Sequence, residues 1–241
     1  MRRSLIVSAV LVCALVLVGP ASAADYNDAA TGNWDAGDTW ATSPLVPVTG
    51  DDAVIDSHQV TAGHDVGGNP YIIPDLNSLT IRDSGVLYLR GADSTQLVDM
   101  TLKGGKVDTH RENSIDNVKT LAGDITVASG TWSHSTIEVA VREDLDIAGS
   151  LLGDGHLYLQ GGLLQGDLRL SGDNTAFTGE ITLVDDNEGD ETRYYDLRIQ
   201  GADALEFSGT VTIHGKLQPE VAPTGAVQPK IIIGEHGLYN L

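Results

Sequence analysis

From residue 24 onward no stretch of the chain sustains a helical period. Apolar residues come in runs of about three to five that alternate with polar ones, and Gly, Asp, Asn or Ser stands between the runs. Leu79-Thr80-Ile81, Val86-Leu87-Tyr88-Leu89, Ile125-Thr126-Val127, Leu157-Tyr158-Leu159, Ile181-Thr182-Leu183 and Val211-Thr212-Ile213 are representative. A period of two in β-branched and aliphatic residues, bounded by turn formers, reads as short half-buried strands. The fold class is therefore all-β.

Strand length decides between the two main all-β architectures. A sandwich favours strands of about five to six residues and two-residue hairpin turns. Here one theme recurs instead: apolar strand, small polar turn, strand, glycine. Examples are Leu121-Ala122-Gly123-Asp124-Ile125-Thr126-Val127, Leu145-Asp146-Ile147-Ala148-Gly149 and Leu168-Arg169-Leu170-Ser171-Gly172. Comparable triplets begin near residues 79, 100 and 119, a spacing within the repeat range of a solenoid coil. Small residues let such coils stack at the strand spacing of about 4.8 Å. The predicted architecture is a single-stranded parallel β-helix, or β-solenoid, over residues 75–241. Residues 24–74 read differently. They hold Trp34 and Trp40 in an irregular lead-in, followed by first strands at Ala53-Val54-Ile55 and Gln59-Val60-Thr61. This stretch is predicted to be an N-terminal cap over the open end of the first coil.

The start of the chain reads as an address. Met1-Arg2-Arg3 is basic, Leu5 to Val18 is almost wholly apolar, Gly19-Pro20 breaks a helix, and Ala21-Ser22-Ala23 supplies a small-x-small cleavage site. That order predicts a signal peptide over residues 1–23, cut after Ala23. The apolar run is shorter than a bilayer span needs, so no membrane insertion is expected after cleavage. Cleavage removes Cys13, the sole cysteine, and leaves a chain without disulfides. It also removes Arg2 and Arg3 but no acid, so the processed chain is more negative than the −20 of the whole. A surface so acidic repels nucleic acid, anionic lipid and acidic polysaccharide. The expected location is secreted or cell-surface.

Two stretches carry a resemblance. Gly32-Asn33-Trp34, Asp38-Thr39-Trp40 and Val46-Pro47-Val48-Thr49-Gly50-Asp51-Asp52-Ala53-Val54-Ile55 resemble the opening of bacterial secreted β-helix proteins and of the glycine-rich domain of cell-surface proteins. Leu170-Ser171-Gly172-Asp173-Asn174-Thr175-Ala176-Phe177-Thr178-Gly179-Glu180-Ile181-Thr182 is similar to the repeat of autotransporter passenger domains, with Ala176 as an extra residue before the aromatic. The resemblance implies export and a β-helix; for function it implies a surface, adhesin-like or passenger module.

Chemistry-bearing residues are sparse. The seven histidines, His58, His64, His110, His134, His156, His214 and His236, are scattered singly, and no closely spaced Cys/His set makes a zinc site. No Gly-x-Ser-x-Gly elbow or phosphate loop occurs. Asp108-Thr109-His110-Arg111-Glu112 gathers an acid, a base and a cation in what reads as one turn. General acid/base work there would need a second carboxylate from a neighbouring coil; a solvated turn is the competing reading. Asp185, Asp186, Asn187 and Asp190 lie in an acidic run whose hard oxygens suit Ca2+, the one cofactor the sequence suggests. The competing reading is a protruding loop that keeps sheets from associating laterally. Trp34, Trp40, Trp132, Tyr194 and Tyr195 could stack on sugar rings, although Trp34 and Trp40 are read first as filling of the cap. The chain runs out on an apolar strand, Ile231-Ile232-Ile233, with no polar cap after it. The solenoid is therefore expected to continue past Leu241, or to meet a partner or a second copy at that end. The function expected is a non-catalytic extracellular module, with extracellular polysaccharide or surface proteins as partners. The alternative is a polysaccharide-binding or polysaccharide-cleaving protein on the same fold.

Overall fold

The computed structural model describes residues 24–42, 45–63, 71–109, 117–129, 134–140, 143–161, 167–184, 196–222, 227–234 and 237–239. These form a parallel β-solenoid with three faces. The first sheet is built from Asp25–Asn27, Asp52–Ile55, Ser78–Arg82, Met100–Lys103, Ile125–Val127 and Leu151–Gly153. The second runs through Gly32–Asn33, Gln59–Ala62, Val86–Leu89, Lys106–Thr109, Ser135–Val139, His156–Gly161, Glu180–Val184, Thr210–Ile213 and Lys230–Ile233. The third holds Ser94–Gln96, Asn117–Leu121, Glu143–Ile147, Asp167–Leu170, Asp196–Ile199, Lys216–Pro219 and Leu238–Tyr239. All strand pairings within these sheets are parallel. The only helix among the described residues is a 3-10 turn, Gly37–Thr39.

Alternation puts every second strand residue inside, where it meets its equivalent in the coils above and below. Ala53, Leu79, Met100, Ile125 and Leu151 make one such ladder in the first sheet. Leu145, Leu168, Leu197 and Leu217 make another in the third. All of these are buried. Each aliphatic side chain so buried contributes about 1.5–3 kcal/mol relative to exposure, so the ladder, rather than any local propensity, holds the short strands in place.

The triplet spacing read from the sequence mixes two faces. Leu79 and Met100 are true neighbours, but the next rung of that ladder is Ile125, whereas Lys119 pairs with Ser94 and Leu145 in the third sheet. Three strands per coil put similar triplets from different faces in succession along the chain. Lys119 is also unexpected inside: it is fully buried, and its Nζ donates to the carbonyls of Gly91 and, at 2.6 Å, Ala92. Those bonds offset the cost of burying an ammonium.

The two tryptophans of the lead-in fill the first coil. Trp34 and Trp40 are buried, cross edge-on with ring centroids 4.9 Å apart, and are tied by Trp40 Nε1 donating to the Trp34 carbonyl at 2.8 Å. They are core residues and are not available for stacking on a sugar.

Beyond Gly153 the first face changes character. The regular strand gives way to turns in which Phe177 and Phe207 point inward, with centroids 5.4 Å apart, and Phe177 keeps a single parallel bridge to Gly153. Asn174 locks the start of this face. Its buried amide accepts from Leu151 N–H at 2.7 Å and donates to the Ala204 carbonyl at 2.8 Å, which links three successive coils. The extra residue Ala176 is absorbed in the turn, and Phe177 still reaches the core.

Candidate functional site

Where the first sheet's strands turn into the second's, a cleft of about 510 Å³ opens along the solenoid. Its lining comes from successive coils: Gly104, then Ala128, Ser129 and His134, then Asp154, Gly155 and His156, then Thr178, Gly179 and Glu180, then Thr210. Stacking sets the arrangement. His156, Glu180 and Thr210 are register partners on three consecutive strands. Ser135 pairs with Leu157, which places His134 beside His156 one coil earlier.

The floor is main chain because the coils approach too closely for side chains. A Cβ on Gly179 would sit 2.0 Å from the Gly155 carbonyl oxygen, and one on Gly209 would sit 1.8 Å from that of Gly179. Gly153, at the start of this turn, takes φ +92, a conformation that glycine adopts without steric cost.

The wall is aromatic and polar. The His134 ring stacks flat on Tyr158, with centroids 3.7 Å apart and planes at 8°. His156 meets the same Tyr158 edge-on at 4.7 Å and shares a 2.8 Å hydrogen bond with Thr182 Oγ1 through its Nε2. Burial pushes the His156 imidazole below its ordinary pKa, against the pull of Glu180 and with the help of His134. His156 is therefore a neutral hydrogen-bonding group at physiological pH. Thr212 Oγ1 donates to Glu180 Oε1 at 3.5 Å, and Ser129 Oγ lies 3.4 Å from an Asp154 carboxylate oxygen.

The candidates singled out in the sequence fare unevenly. Asp108 lies in strand Lys106–Thr109 rather than in a turn, and is buried at 7% exposure. Lys106 Nζ holds it at 3.0 Å and also contacts Glu138 on the next coil. Burial works to lower the Lys106 pKa, but the Glu138 hydrogen bond and the Asp108 charge together hold it above the usual range. Tyr88, on the coil before Asp108, has its phenol pushed up by burial and by that carboxylate. His110, Arg111 and Glu112 lie outside the described residues, as do Asp185, Asp186, Asn187, Asp190, Trp132, Tyr194, Tyr195, His64 and His236. His58 belongs to a structural turn, where the Asp28 carboxylate accepts from its backbone at 2.7 Å and contacts its ring at 3.0 Å. Among the described residues no three His, Cys, Asp or Glu side chains are grouped to hold a metal ion.

The His134, His156, Tyr158 and Glu180 grouping was not apparent from the sequence, where the histidines looked isolated. The signal was present in the parallel patterns His134-Ser135-Thr136-Ile137 and His156-Leu157-Tyr158-Leu159, which align once alternation is used to set the register.

A second outward surface, on the third sheet, is built of charge. Arg169 contacts Asp144 at 2.7 Å and Asp167 at 3.4 Å, while Arg198 contacts Asp167 at 3.2 Å and Glu220 at 3.4 Å. This chain of pairs stitches coil to coil. No protein family, curated protein or solved structure matches this chain; the architecture to which its geometry assigns it is the parallel β-solenoid of a β-helix repeat protein.

Proposed function

We propose that this chain is a non-catalytic, secreted or cell-surface β-solenoid that acts as a structural or adhesive module. One observation carries the reading: several carboxylates of the described faces serve the stack itself. Asp93, Asp99, Asp124 and Asp144 each accept a backbone N–H from the following coil, at 2.8, 2.8, 3.1 and 2.9 Å. Asp108 and Glu138 neutralise Lys106. Acids committed in this way hold a rod together and are poorly placed to trade protons with a substrate. The basic-then-apolar start of the chain supports export, and the likeness of Leu170 to Gly179 to passenger-domain repeats supports a surface role.

The test is incubation of the processed protein with a panel of polysaccharides, reading new reducing ends and unsaturated products, alongside small-angle scattering. A rod without turnover is expected. Turnover that disappears in Asp108→Asn would overturn the reading. A second reading, polysaccharide binding without cleavage, is favoured by the cleft that ends at Thr210 and is compatible with an adhesive role.

A further inference from the structure

We propose that the corner cleft binds a linear polysaccharide that bears no acidic groups, lying along the solenoid axis with about one sugar per coil. The inference rests on the adhesive reading and specifies its ligand. The first argument is periodicity. The cleft draws its lining from five successive coils, and the coils repeat at about 4.8 Å. That step is close to the advance per residue of an extended pyranose chain, so each sugar meets the lining of one coil. A globular partner or a compact small molecule would gain nothing from such a repeat.

The second argument is chemistry. Sugars are bound by hydroxyl, amide and carboxylate groups that grip their hydroxyls, combined with flat surfaces that cover their C–H faces. Thr178 and Thr210, the carboxylates of Asp154 and Glu180, and the neutral His156 supply the first kind. The glycine floor and the His134 ring, held flat against Tyr158, supply the second. Close packing also makes the site rigid, because the floor cannot shift without breaking the Gly155, Gly179 and Gly209 contacts between coils. A preorganised trough loses little freedom when an extended chain settles into it.

The third argument is charge. Asp154 and Glu180 line the cleft, no Lys or Arg is among its lining residues within the described part of the chain, and the chain as a whole carries −20. Uronates and sulfated sugars are therefore repelled, while neutral and amino sugars are admitted.

The experiment is calorimetric titration of the processed protein with three series of oligosaccharides, two to six sugars long. One series is neutral and β-linked, one is deacetylated chito-oligosaccharide, and one is oligogalacturonate. Affinity is expected for the neutral or amino series, rising with length to about five sugars, with none for the uronates. Glu180→Gln and Thr210→Trp, the second filling the trough, are expected to weaken it about tenfold or more. Arg169→Met, on the far face, is expected to bind as the parent does. Circular dichroism of each variant establishes that the fold is kept, and Glu180→Gln decides alone if Thr210→Trp fails to fold. No binding in any series, a preference for uronates, or binding untouched by Glu180→Gln would each overturn the proposal. Attachment of the protein to cell or matrix surfaces, measured in parallel, separates the two levels. Adhesion that persists without cleft binding sinks only this inference, whereas cleavage of the bound chain sinks the adhesive reading as well.

Discussion

The corner that carries the cleft and the outward face of the third sheet solve one problem, holding coil to coil, by opposite means. Along the first face the coils touch through main chain and buried amides: Gly179 lies against the Gly155 carbonyl at the cleft corner, and Asn174 bridges Leu151 and Ala204 at the other end of that face. On the third face they are joined by partly exposed ion pairs running Asp144, Arg169, Asp167, Arg198, Glu220. Contacts of the first kind leave no room for an added atom and no water to replace a lost bond. Those of the second are screened and replaceable. Rigidity is thus concentrated beside the cleft, and tolerance on the far side.

The largest test of this contrast is Gly179→Val. The new Cβ would stand 2.0 Å from the Gly155 carbonyl oxygen and 2.7 Å from Phe177 Cζ. Backbone cannot yield as a flexible side chain does, so a loss of about 4 kcal/mol or outright failure to fold is expected. Urea denaturation reads it, and a variant of near-parental stability would break the claim that the corner is closely packed. Next comes Asn174→Ala, which strands the Leu151 N–H and the Ala204 carbonyl in the interior. Leaving buried partners unsatisfied costs about 2–3 kcal/mol here. Asn174→Asp keeps the acceptor for Leu151 but sets a carboxylate against the Ala204 carbonyl, so it is expected not to rescue.

On the third face, Arg169→Met should cost far less. Its side chain and its two carboxylate partners are 22–24% exposed, and pairs at this depth contribute about 1 kcal/mol or less. The loss should shrink further in high salt, as screening weakens the parent's pairs. Denaturation midpoints of parent and variant at low and high ionic strength check both statements. A loss as large as that of Asn174→Ala would erase the distinction between the two regions.

The same contrast explains what could be read from the sequence. Alternation and glycine punctuation were enough for an all-β solenoid, because burial of Leu79, Leu87, Leu159 and their like depends only on a period of two. The three-faced coil was harder to see. Leu79, Leu87 and Leu121 belong to the first, second and third sheets, yet their local patterns are interchangeable. The matching corners at Phe177 and Phe207 were hidden by the turns between, since Phe177 follows Gly172 by five residues and Phe207 follows Gly201 by six. The cleft depends wholly on register. His134 and His156 meet because Ser135 pairs with Leu157, and a slip of one residue would have sent both inward.

The smallest expected effect is also the most specific to the cleft. Burial holds the folded-state pKa of His156 below the ordinary 6.5, so the unfolded chain binds this proton more readily than the folded one. Stability is then fully present above about pH 6.5 and declines as the pH falls from there toward the folded-state value, below which the contribution is constant. His156→Gln keeps a hydrogen-bonding partner for Thr182 and removes the titration, so its stability should fall less than the parent's between roughly pH 7.5 and 5. The parallel comparison uses Arg169→Met, which lies on the third face and leaves His156 in place. Its curve should run alongside the parent's with the same slope. Parallel curves for His156→Gln as well would mean that the imidazole beside Tyr158 is solvated rather than half-enclosed, and the cleft wall would lose the partly buried histidine that distinguishes it from the salt-bridged face.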